Sequence, residues 1–122
     1  MWEATIIDKK KKIVGLKWSG NVKKEEVHQA NEKLEQLIHQ LNTSSFNLLV
    51  ELENLMAFSK ETQAEIVEQQ KWILEKGMNQ AAVIADKATT KMQLKRTAKT
   101  SNHQNEHHFD NYDEALAFLQ NN

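Results

Sequence analysis

The chain has 122 residues, a length that predicts one domain able to bury about two thirds of the surface its unfolded form exposes. Sixteen Lys and Arg stand against seventeen Asp and Glu, so no global field draws the molecule to nucleic acid or to an anionic membrane, and any electrostatic partner must be met locally. Cysteine is absent, which excludes disulfides, thiolate catalysis and zinc–thiolate sites.

The start, Met1-Trp2-Glu3-Ala4-Thr5, lacks the charged and apolar regions of a secretory signal, and no apolar run approaches the roughly 20 residues that span a bilayer. A soluble, cytoplasmic protein is the expectation. Trp2, Ala4 and Ile6 alternate with Glu3, Thr5 and Ile7. After the turn Asp8-Lys9-Lys10-Lys11-Lys12 the same period returns in Val14, Leu16 and Trp18, which predicts an antiparallel hairpin. Gly20 ends it, and Asn21 is placed to cap a helix over residues 22–41 whose apolar stripe is Val27, Ala30, Leu34, Leu37, Ile38 and Leu41.

Phe46-Asn47-Leu48-Leu49-Val50-Glu51-Leu52 and Ala81-Ala82-Val83-Ile84-Ala85 are too short for free helices and nearly continuous in apolar residues, as parallel strands covered on both faces are. Between them Ser59 is placed to cap a helix with a stripe of Ile66, Val67, Gln70, Ile73 and Leu74, ended by Gly77. Residues 89–100 read as a weaker helix around Met92, Leu94 and Ala98, followed by a polar loop. A short strand at residues 107–109 then leads into a closing helix, where Asn111 and Glu114 have capping-box spacing and Ala115, Leu116, Phe118 and Leu119 form the buried face.

The expected order is β-β-α-β-α-β-α-β-α, an α/β fold with a mixed, mostly parallel sheet. Right-handed crossovers place helices over the sheet and leave the hairpin at its edge. In open sheets of this kind ligands collect at the carboxyl ends of the strands. Those ends carry Asn54, Phe58 and Ser59 in one case, and Asp86, Lys87, Thr89 and Thr90 in the other.

The element order, the segment Leu48-Leu49-Val50-Glu51-Leu52-Glu53-Asn54-Leu55 before a helix, the strand Ala82-Val83-Ile84-Ala85-Asp86 and the closing helix together resemble the SpoIIAA-like branch of the STAS family, the sulfate transporter and anti-sigma-factor antagonist family. The resemblance covers residues 2–119. It implies a single α/β regulatory or binding module over residues 1–122, without catalysis of its own, that docks to partner proteins. Switchable members carry Asp-Ser-Ser-Gly at the start of the helix after the central strand, and a kinase phosphorylates the serine. This chain has Phe58-Ser59-Lys60-Glu61-Thr62 there, with Ser59 on the motif's aspartate and Lys60 and Glu61 on its serines.

The surface around Phe58, Ser59, Lys60 and Trp72 is the expected protein contact. Trp72 enters it because it falls on the side of its helix opposite the apolar stripe, where an interface or a neighbouring helix must cover it. Ser59 is a candidate phosphoacceptor as well as a cap, since a phosphate there would meet free N–H groups and the positive end of the helix dipole. The alternative reading is a carrier of an apolar or lipid-like ligand held between sheet and helices near Met56, Phe58 and Met92. No cofactor is expected.

Residues 9–12 and the series Lys87, Lys91, Lys95, Arg96 and Lys99 form two basic clusters of the kind that usually lie on solvated faces. They could meet phosphates or acidic lipid head groups, but neither nucleic-acid binding nor membrane binding, stable insertion included, is expected of them. His107 and His108, adjacent on a strand, point to opposite faces, so no metal site is expected with His103, Glu106 and Asp110. The partner is a protein or a second copy of the chain, a dimer included.

Overall fold

The alternation of the first nineteen residues becomes a hairpin in which β1 (Trp2–Asp8) pairs antiparallel with β2 (Ile13–Ser19), Ala4 opposite Leu16. The structure, a computed structural model, describes residues 1–56, 58–85 and 105–121. From β2 the chain passes through α1 (Lys24–Leu41) to β3 (Phe46–Glu53), through α2 (Lys60–Glu75) to β4 (Met78–Ala85), and later enters β5 (Glu106–Phe109) and α3 (Tyr112–Gln120). The sheet order is β1-β2-β3-β4-β5, and every pair after the hairpin is parallel. The expected mixed sheet with an antiparallel edge is therefore the observed one. The helix expected over residues 89–100, with Met92 and the second basic series, lies outside the described residues.

Strand alternation divides the apolar residues between two layers. Val14, Leu16 and Trp18 of β2, Leu48 and Leu52 of β3, and Ala81 and Val83 of β4 face α1 and α2, where Val27, Leu34, Leu41, Ile66 and Ile73 meet them. Ile13, Leu49 and Ala82 face the other way, against Ala115 and Leu119 of α3. Strands β2, β3 and β4 are thus buried on both sides, the condition under which a parallel strand reads as a nearly unbroken apolar run.

Three boundaries differ from the sequence expectation. Helix α1 starts at Lys24 and not at residue 22, because Val22 is buried ahead of the helix, where its carbonyl accepts the Thr62 hydroxyl, and Lys23 is extended. Its first free donors are met from within the helix, the Lys23 N–H donating to the Glu26 carboxylate at 2.9 Å, and Asn21 does not cap it. Strand β4 begins at Met78, three residues early, because Gly77 drops the chain from α2 straight into the sheet, with Met78 beside Phe46. Strand β5 takes in Glu106, and its side chain is thereby turned into the α2-facing layer.

The buried face of α2 also holds more polar groups than its apolar stripe suggests. Thr62, Gln69 and Gln70 are buried, while Val67 and Leu74 are half-buried. The Gln69 amide donates to Asn31 of α1 at 2.7 Å, one rung of a polar ladder between the two helices. The others are Lys24–Glu61, His28–Glu65 and Glu35–Lys76. Exposed pairs of this kind contribute little each, but their spacing fixes the register of one helix on the other. On the opposite layer Asn47 is buried in β3, and its side chain accepts the Gln80 N–H at 3.1 Å and donates to the Leu119 carbonyl at 3.5 Å, tying β4 and the end of α3 to one strand.

Two glycines are fixed by space. Gly77 has φ +110°, and a Cβ there would collide with the Ser44 carbonyl, while its own carbonyl accepts the Phe46 N–H. Gly15 lies under the Ile7 side chain, whose Cδ1 would be 2.6 Å from an added Cβ. The first obstacle is backbone and cannot yield, whereas the second is the end of a flexible side chain. Gly77→Ala is expected to cost about 3 kcal/mol or more and Gly15→Ala about 1 kcal/mol, read from the midpoints of urea unfolding curves. Equal costs would mean that the turn at Gly77 relaxes freely.

Candidate functional site

At the carboxyl edge of the sheet the chain leaves β3 through Asn54, in the left-handed region at φ +50°, and crosses toward α2. Leu55 turns inward and is buried, the Met56 N–H donates to the Gly20 carbonyl at 3.0 Å, and the Met56 side chain is left 58% exposed. The loop is thus pinned by its backbone to the β2–α1 connection while it presents a large apolar side chain to water. Phe58 turns back into the core at the end of β3 and β4.

Ser59 then caps α2. Its hydroxyl oxygen accepts the Thr62 N–H at 3.1 Å, its hydrogen is donated to the Thr62 hydroxyl at 3.0 Å, and the Thr62 hydroxyl donates to the Val22 carbonyl at 3.1 Å. This relay joins the first turn of α2 to the segment before α1, with Thr62 buried at its centre. A phosphate on Ser59 would remove the hydrogen now given to Thr62. Lys60, the first residue of the helix, is exposed beside the cap.

Phe58, Ser59 and Lys60 therefore come together with Met56, and Trp72 does not join them. Twelve residues separate Lys60 from Trp72, roughly 18 Å of helix rise. Trp72 is half-buried against the α1–α2 core, and the Lys76 ammonium lies 5.9 Å from its ring centroid while bonding Glu35 of α1 at 2.9 Å. Much of the indole is covered within the chain.

Behind Phe58, between α2 and the sheet, lies a cavity of about 40 Å³ walled by Leu16, Trp18, Ile66, Ile73, Val83 and, from β5, Glu106. Met56 is not among its described lining residues, and Met92 lies outside the described residues. The Glu106 side chain is only 8% exposed and accepts a hydrogen bond from, or pairs with, His108 Nε2 at 3.1 Å, while His108 Nδ1 is buried without a partner among the described residues. Sequence reading placed Glu106 in a loop and missed this pair. The signal available was spacing, since residues two apart on a strand share a face. His107 does point the other way, its Nε2 2.7 Å from the Gln80 amide oxygen and its ring 4.7 Å from that of Phe118. Among the described residues no group of three or more His, Asp or Glu side chains is arranged to hold a metal ion.

Glu51 and Glu53 share the α3-facing side of β3 with Lys17 of β2. The Lys17 ammonium bonds Glu53 at 2.7 Å, and that carboxylate holds the ammonium above the usual lysine range. The pair spans neighbouring strands as ordinary surface chemistry.

The Ser59 relay has a measurable consequence. Ser59→Ala is expected to lower stability by about 1 kcal/mol, and Ser59→Asp, which keeps an acceptor for the Thr62 N–H, by less than half of that, both read from urea unfolding. Equal losses would mean that the hydroxyl hydrogen, and not the cap, carries the effect.

A family model described as SpoIIAA-like matches residues 13–120, most of the chain. No curated protein and no solved structure matches the chain at a significant level.

Proposed function

The chain belongs to the SpoIIAA-like family, and from that premise we propose that it is a non-enzymatic module that docks to a protein partner through the carboxyl edge of its sheet, at Met56, Phe58, Ser59 and Lys60. At the level of the family, a STAS-like regulatory or interaction domain is the established reading, and such domains are generally not enzymes. The observation that carries the finer reading is Met56. A largely exposed apolar side chain on a backbone-pinned loop, beside a capped helix start and an exposed lysine, has the composition of an interface anchor with a polar rim. Phe58 supports the loop from below. Ser59 sets the orientation of the helix start, and a phosphate on it would add charge at the centre of the contact.

Trp72 offers a second contact on a different part of the surface, one suited to self-association. The alternative of a lipid-like ligand held behind Phe58 is less well supported, because ligand pockets ordinarily enclose several hundred Å³ and about 40 Å³ holds a water molecule or two.

Pull-down from lysate of the source cells, wild type against the double variant Met56→Asp, Lys60→Glu, tests the docking surface. A captured protein whose recovery falls about tenfold in the double variant, with the thermal midpoint unchanged, is the expected result. Identical capture by both forms would remove this surface from the function. Trp72→Ala is expected to lower the thermal midpoint. A sedimentation coefficient unchanged by that variant would show that the indole serves packing only, and a retained small molecule in native mass spectra would favour the carrier.

A further inference from the structure

We propose that the hairpin tip at Lys9, Lys10 and Lys11 adsorbs the molecule to an anionic phospholipid surface, without insertion. This surface lies at the end of the sheet away from Met56 and goes beyond the docking function. All three side chains are exposed, and none forms an ion pair with a described carboxylate. The neighbouring acid, Asp8, is turned into the fold: one carboxylate oxygen accepts the Lys11 N–H at 3.0 Å and the other the Gln120 amide at 3.4 Å.

The base of the tip is tied to the fold. Lys12, at φ +59°, donates its ammonium to the Leu41 carbonyl at the end of α1, and its own carbonyl accepts the Asn47 N–H at 2.9 Å. Lys12 therefore has a structural task, satisfying a free carbonyl at a helix C-terminus. The other three have none that the fold supplies. Turn geometry asks for Asn, Asp or Gly at such positions, and adjacent like charges repel. The result is three cations on a projection tied at its base.

The surroundings select the partner. The same end of the molecule carries Asn42, Thr43 and Ser44, with His39 and the Glu35–Lys76 pair beside them, and Asn121 after α3. The exposed large apolar side chains among the described residues, Met1, Met56 and Tyr112, all stand at the opposite end, where Met1 pairs with Ser19, Met56 bonds Gly20 and Tyr112 opens α3. A specific protein interface needs an apolar anchor beside its charges, and single-stranded nucleic acid needs an aromatic platform. Among the described residues neither accompanies these lysines. A layer of mobile anionic headgroups needs only unpaired charge that can reach a plane, so adsorption here is weak, reversible and screened by salt.

Cosedimentation with vesicles of phosphatidylserine in phosphatidylcholine, against pure phosphatidylcholine, tests this on the full chain. Wild type is expected to partition onto the anionic vesicles at low ionic strength and to leave them as salt is raised. The triple variant Lys9→Gln, Lys10→Gln, Lys11→Gln should lower the partition by about 100-fold, roughly fivefold for each lysine. The triple variant Lys23→Gln, Lys24→Gln, Lys71→Gln makes the same change in net charge elsewhere and should lower it by less than about threefold. Thermal midpoints establish that both variants fold. No binding by wild type, equal binding to neutral vesicles, equal loss in the two variants, or retention by polyglutamate or duplex DNA but not by vesicles would each overturn the proposal.

Discussion

The double burial of β2, β3 and β4 is the constraint from which the remaining structure follows. A strand covered on both faces must be apolar at nearly every position, and parallel neighbours cannot be joined by a tight turn. The chain must therefore leave the sheet after β2 and β3, and the crossovers α1 and α2 supply the cover that the strands require. The second layer, built on Ile13, Leu49 and Ala82, is closed by α3 after the last strand. Requirement and remedy are supplied by the same connections.

The same topology assigns different work to the two ends of the sheet. At the carboxyl end the chain passes from strand to helix, so loops are anchored by helix starts, and the Ser59–Thr62–Val22 relay joins two of those starts. An exposed Met56 stands there. At the amino end helices run out onto strands, and the fittings are close: Gly77 against the Ser44 carbonyl, and Lys12 on the Leu41 carbonyl. The first end presents an exposed apolar side chain beside a helix start, whereas the second presents the exposed lysines of the hairpin turn.

Polar groups inside the layers serve registry more than cohesion. Gln69 reaches Asn31 between the helices, and Asn47 joins β3 to β4 and α3. A buried amide left without such a partner would cost more than its hydrogen bond returns, so each of these side chains favours a single arrangement of its neighbours. Glu106 and His108 are different. Glu106 brings a carboxyl to a cavity wall that already holds Gln69 and Gln70, and its partner His108 has one imidazole nitrogen unmatched among the described residues.

The sequence by itself determined the order of the described elements, the hairpin, the two-sided burial of the central strands and the caps at Ser59 and Asn111, because each is written in local periodicity or in a side chain acting on its own backbone. It also determined that His107 and His108 face opposite ways. Only the tertiary structure decided that Val22 is packed ahead of the helix, which delays α1, and that a glycine turn against Ser44 starts β4 at once. It likewise decided that Trp72 is half-covered, and that Glu106 enters a strand and looks inward. Those outcomes rest on distances between segments remote along the chain, and no local pattern encodes what a residue will meet from the other side.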